Sequence, residues 1–245
     1  MQGAGKETGS DIGLELPAWQ QVAREEISQR LADVDFPCLF ARKAWRAGSI
    51  WFEFCESDRY VAAREALAAY TDMVKTVAIE ERLYRPLCLI FRNEEGEQPM
   101  HQHAAAWQLL EWLHRYDPQA WPAKVPDDTD DPAWSFCFNG VPLFVNISSA
   151  AHVQLKSRNL GRCLVLVVNP RENFDVVASA ASPHGRTLRA RIRSRVESYN
   201  QAPAPASLGF HGEPGNREWM QYQLDEPGLE APACCPFSTQ RRRLR

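Results

Sequence analysis

The 245-residue chain predicts a single α+β domain, a mixed β-sheet flanked by helices with room for a sizeable ligand pocket. Three observations carry this. Short strand-like runs are interspersed with amphipathic helical stretches. The run Cys163-Leu164-Val165-Leu166-Val167-Val168 is wholly apolar, as in a central strand buried on both faces. The segments on either side of Asn139-Gly140 read as a hairpin. With 44% hydrophobic and 24% charged residues, the composition is that of an ordinary globular protein.

Taken in order, residues 1–16 are polar, Gly-containing and without apolar period, which predicts a disordered leader. Trp19, Val22, Ala23, Ile27 and Leu31 recur at helical spacing behind Pro17. After Gly48-Ser49, the stretch Ile50 to Glu56 favours a strand, with Trp51, Glu53 and Cys55 on one face and Phe52 and Phe54 on the other. Ser57 or Asp58 caps an expected helix running to about Arg82. Leu87 to Phe91 is a short apolar strand, and His101 to His114 reads as a helix. Trp134 to Phe138 and Pro142 to Ile147 form the hairpin. Asn169-Pro170-Arg171 ends the apolar strand, and a helix follows from about Arg186 to Tyr199. The domain is expected over 17–225, with 226–245 a flexible tail ending in the basic cluster Arg241 to Arg245.

Several function classes are disfavoured. A formal net charge of −3 gives no long-range field for gathering nucleic acid. No run approaches the roughly 20 apolar residues of a membrane span, and the start lacks a secretory core, so a cytoplasmic protein is expected. Seven scattered cysteines without a CxxC pair read as reduced thiols, not as a disulfide framework or zinc cage. Walker, GxGxxG, GxSxG and HExxH motifs are absent.

Histidines and carboxylates on apolar elements remain as candidates. His101 and His103 diverge if the segment is helical and share a face if it is extended. His152 follows a strand end and has Lys156 and Arg158 close behind it. A neutral imidazole flanked by cations suits a haem with two propionates; a histidine satisfied in a loop is the plainer reading. Glu53, on an aromatic strand, either pairs with Arg42 or Arg46 or faces a guanidinium, whose planar fork matches a carboxylate.

Read together, Phe36-Pro37-Cys38-Leu39-Phe40, Trp134 to Phe144, His152 with Lys156 to Gly161, Asn169-Pro170-Arg171 with Phe174-Asp175, and Glu218-Trp219 with Gln221-Tyr222 resemble the YqcI/YcgG family. Characterised members that this sequence resembles are haem-dependent N-hydroxylases of guanidino groups, in D-cycloserine and guanitoxin biosynthesis. The resemblance implies haem b as cofactor, His152 as its axial ligand, and L-arginine or another guanidino compound as substrate. The oxidant is then oxygen with an external reductase, or peroxide. Lys156 and Arg158 are the expected propionate partners, and Lys156 stands where Arg is commoner, which weakens bidentate pairing. Glu53, then Glu56, with Trp51 beside them, are the expected guanidinium clamp, and Phe136 and Phe138 the expected haem walls. The competing class is a non-catalytic haem carrier or gas sensor, which needs His152 but no substrate pocket. Association of two copies stays open.

Overall fold

The computed structural model describes residues 16–56, 60–93 and 98–237. It is a single α+β domain around one five-stranded mixed sheet. The strands are β1 (Trp51–Cys55), β2 (Leu87–Phe91), β3 (Phe136–Phe138), β4 (Val141–Ser148) and β5 (Leu164–Pro170), in the order β1-β2-β5-β4-β3. Only β1 and β2 run parallel, joined by a helical crossover, and the other pairs are antiparallel. β5 takes the centre because its run is apolar at nearly every position and must be covered on both faces.

Register sorts the side chains. Trp51, Glu53, Leu87, Leu89, Leu164 and Leu166 share one face, while Phe52, Phe54, Cys88, Ile90, Val165 and Val167 share the other. The first face is covered by α3 (Tyr60–Thr76) and α5 (Gln102–Arg115), through stripes that include Ala63, Leu67, Tyr70 and Ala106, Leu110, Leu113. The second is covered by α1 (Ala18–Ala32), whose Ala23, Ile27 and Leu31 recur every fourth residue and face Ile90 and Val165. Each fully buried Leu or Ile contributes about 1.5–3 kcal/mol. Asn139 and Gly140 both have positive φ, 52° and 76°, which gives the hairpin turn the twist of its strands.

Several elements depart from expectation. The helix expected to reach Arg82 breaks after Thr76 and resumes as α4 (Ile79–Arg82). The Thr76 hydroxyl donates back to Asp72 and Met73 carbonyls, and Arg82 Nε donates to Val77 O at 3.1 Å, so side chains take over where the helical ladder stops. The segment around Phe40 forms α2 (Leu39–Arg46), and β5 runs through Pro170 straight into α6 (Arg171–Val177). The later helix is α7 (Pro183–Asn200), capped by Ser182 Oγ, which accepts from Gly185 N–H. Residues 226–237, expected as the start of a tail, pack instead: Glu226 and Phe237 are 6% and 3% exposed. Phe237 inserts among His114, Trp121, Trp134 and Phe136. The basic cluster, residues 1–15 of the leader and the Ser57/Asp58 cap lie outside the described residues. Among the described residues, no helix is long and apolar enough to cross a membrane.

Candidate functional site

Two places gather chemistry. The first is a cavity of about 220 Å³ on the α1 side of the sheet, open to solvent at its mouth. Phe40, Phe144, Phe174, Ile192, Val196 and Leu208 give it apolar walls. Its charge is lopsided: Arg158, Arg171, Arg189 and Arg193 line it, against one carboxylate among the described residues, that of Glu218. That carboxylate is already engaged, receiving hydrogen bonds from the Ser135 hydroxyl and from the Tyr222 hydroxyl at 3.2 Å, with Arg171 Nε 2.9 Å away. Burial pushes the Glu218 carboxyl up to about 7 against the pull of Arg171. Burial, with Arg171 beside it, lowers the Arg189 guanidinium to about 10. The walls therefore carry positive charge in excess, which suits a flat, anionic, largely apolar ligand.

Cys38 opens onto the same cavity. It caps α2, and its Sγ accepts the Ala41 N–H at 3.4 Å. The approach to it is held by α7, because Arg195 donates to the carbonyls of Val34 and Phe36 at 2.7 and 2.9 Å. Burial raises the Cys38 thiol, with the Ala41 and Phe40 amides and the Arg158 charge acting the other way.

The second place is built on His152, which is 0% exposed. Its Nδ1 lies 3.2 Å from Glu226 Oε2, and the same carboxylate accepts the N–H groups of Val153, Gln154 and Leu155 at 2.8, 2.8 and 2.9 Å. Left alone, burial would raise the Glu226 carboxyl; the three amides and His152 hold it below its ordinary value. Gln102, at the start of α5, accepts from Ser149 Oγ and Ala150 N–H, and so brings the next residue, His103, against His152 with ring centroids 4.9 Å apart. Both nitrogens of His103 and the Nε2 of His152 are buried without a hydrogen-bond partner. His101, by contrast, is exposed at the preceding 3₁₀ turn, so the helical reading of the pair holds and its members part.

Burial, reinforced by His152, lowers the His103 imidazole to about 4, and His152 itself is lowered mainly by burial. A base with a depressed folded-state pKa gives up stability as pH falls from its unfolded value of 6.5 toward about 4, because the unfolded chain takes the proton first. Wild-type protein is expected to lose roughly 3 kcal/mol from this residue across that window, and His103→Phe to remove that share of the slope. Urea unfolding free energies from pH 7 to pH 4 measure it; equal slopes for the two proteins would refute it.

The expected site residues scatter relative to these two places. Arg158 lines the cavity, while Lys156, two residues earlier in a 3₁₀ turn, is exposed and points elsewhere. His152 is not among the cavity walls. Phe136 and Phe138 are fully buried in the core on the opposite face of the sheet, against Phe237 and the α3–α5 layer. Trp51 and Glu53 lie on the edge strand β1 with Glu56 just past its end, all away from the cavity; Trp51 packs edge-on against Tyr70, and Glu56 pairs with Arg92 at 3.2 Å. Glu53 pairs with neither Arg42 nor Arg46 among the described residues, and burial raises its carboxyl. Sequence reasoning missed Cys38, Arg171, Arg189, Arg193 and Glu218 as cavity residues. The legible signal was Pro37-Cys38 directly before a helix, with Cys in the cap position.

The pattern of the YqcI/YcgG family matches residues 27–238 of this chain, and the protein belongs to that family. Among curated proteins it is 40% identical over 233 residues to the Streptomyces lavendulae protein named "Putative N(omega)-hydroxy-L-arginine synthase DcsA", covering 93% of this chain and 87% of that one. It is also similar to two Bacillus subtilis (strain 168) proteins named uncharacterized. YcgG is 32% identical, with 91% and 90% of the two chains covered, and YqcI is 30% identical, with 91% and 89% covered. No solved structure matches.

Proposed function

We propose that this protein N-hydroxylates the guanidino group of L-arginine to give Nω-hydroxy-L-arginine, with haem b as its cofactor. The observation that carries the reading is the 40% identity, over nearly the whole chain, to a protein whose name states that product. The cavity supports the haem. Its apolar walls suit a macrocycle, its uncompensated arginines suit propionates, and Cys38 offers a donor that binds iron. His152 has the oriented Nδ1 and free Nε2 of a metal-binding imidazole, but it is fully buried against His103, so room for a macrocycle there requires both rings to move.

Haem, when bound, supplies oxidising power; the chain supplies binding, orientation and exclusion of water. Arg189 and Arg193 can receive the carboxylate of L-arginine. Glu218 already holds Arg171, so a substrate guanidinium would compete with Arg171 for its carboxylate. With dioxygen, two electrons and two protons from an external reductase, the products are the N–OH compound and one water. With hydrogen peroxide no electron donor is needed and one water leaves. A place in D-cycloserine biosynthesis rests on the family resemblance. Haem-reconstituted protein, given L-arginine with peroxide or with oxygen and a reductase, is expected to form Nω-hydroxy-L-arginine detectable by mass spectrometry. Haem-loaded protein that forms none with either oxidant sinks the proposal.

A further inference from the structure

We propose that Cys38, not His152, is the axial ligand of the haem iron, and that Arg158 takes up a propionate beside it. The inference rests on the haem reading above and names the residues that hold the group.

Four observations converge. Of the described cysteines, Cys38 is the one in the cavity walls. Its sulfur sits at the N-cap of the eight-residue helix α2 and accepts an amide N–H there, which fixes its direction and works against the burial that raises the thiol. The loop carrying it is fastened at Val34 and Phe36 by Arg195, so the donor is presented from a rigid support.

The fourth observation is independent of the cysteine. Arg158 is 6% exposed and lines the cavity, yet among the described residues no carboxylate lies within ion-pair distance of it. Its guanidinium donates only to the Gln221 carbonyl at 2.9 Å and the Tyr222 carbonyl at 3.4 Å. A buried cation without an anion is costly, and a ligand carboxylate entering the cavity removes that cost. Burial accordingly lowers the Arg158 guanidinium to about 10, and a charge on the Cys38 sulfur would oppose that shift. Thiol and unpaired cation therefore face one space, as an iron ligand and a propionate partner would.

The chemistry is consistent with the proposed reaction. A thiolate pushes electron density to iron and favours O–O cleavage, which putting oxygen into an N–H bond requires, whereas a neutral imidazole does so less. His152, turned toward Glu226 and packed by His103, is then left as a member of the loop that positions Arg158.

The test uses the full chain, purified with haem. The dithionite-reduced protein under carbon monoxide is expected to give the strongly red-shifted Soret band of thiolate-ligated haem. His152→Ala should retain that band. Cys38→Ser should lose it, and Cys38→His, which keeps a ligand at the same place, should bind haem with the shorter-wavelength band of imidazole ligation; circular dichroism checks that each variant is folded. A wild-type complex with the imidazole-type band, unchanged in Cys38→Ser and abolished in His152→Ala, overturns the assignment and leaves the haem reading standing. Wild-type protein that binds no haem overturns both.

Discussion

Glu226→Ala is expected to destabilise the protein by about 3–5 kcal/mol, the loss that follows removal of one partner from a buried charged network. Glu226 is 6% exposed, and its two oxygens accept three consecutive amide N–H groups, from Val153, Gln154 and Leu155, besides facing His152 Nδ1. Alanine leaves the buried Leu155 N–H and His152 Nδ1 with no acceptor, each costing about 1–3 kcal/mol before the loop relaxes, and leaves the less buried Val153 and Gln154 N–H groups to water. Glu226→Gln keeps one acceptor oxygen and should lose less than alanine. The pH dependence has a definite sign. Because the folded-state pKa lies below the ordinary 4.5, the stabilisation is present above pH 4.5 and drains away as pH falls through the folded value. Urea unfolding at pH 7 measures the loss, and hydrogen exchange at residues 153–155 locates it. A loss under 1 kcal/mol, with the three amides still protected, would mean that another acceptor replaces the carboxylate.

That network also shows what the sequence could not say. β2 and β5 were legible because burial on both faces leaves an unbroken apolar run, and the hairpin was legible because Asn139-Gly140 supplies two positive φ angles in succession. Local signals of this kind need no knowledge of the rest of the chain. Glu226 and His152 are separated by 74 positions, and nothing near either announces the other. The cavity is harder still, since Cys38, Arg158, Arg189 and Glu218 come from four separate parts of the chain. Lys156 and Arg158 looked equivalent by spacing. In a 3₁₀ turn, residues two apart point in different directions, so one faces solvent and the other the cavity. Phe136 and Phe138 were correctly read as strand residues. Which face of the sheet would hold the cavity was not in the pattern, and they lie on the far side.

Arg158→Met is expected to weaken haem binding by roughly 10- to 150-fold, the equivalent of one charge-assisted hydrogen bond of about 1.5–3 kcal/mol, while barely changing the stability of the haem-free protein. The two effects separate because the guanidinium is a burden without its ligand. It is 6% exposed with no carboxylate beside it among the described residues, and its only compensation is two backbone carbonyls. Methionine keeps much of the volume, abolishes the desolvated charge and leaves those carbonyls short of a donor, terms that offset to within about 1 kcal/mol where buried ions are replaced by apolar groups. Arg158→Lys makes a sharper comparison. It keeps the charge but not the planar fork, so it should recover part of the affinity and no more. Haem titration of the apoproteins, read by the Soret band, with urea unfolding alongside, measures both quantities. A structural role alone predicts the reverse pattern, in which Arg158→Met unfolds at lower urea and its surviving folded fraction binds haem as tightly as wild type. That result would remove Arg158 from the ligand site and, with it, the independent support for Cys38.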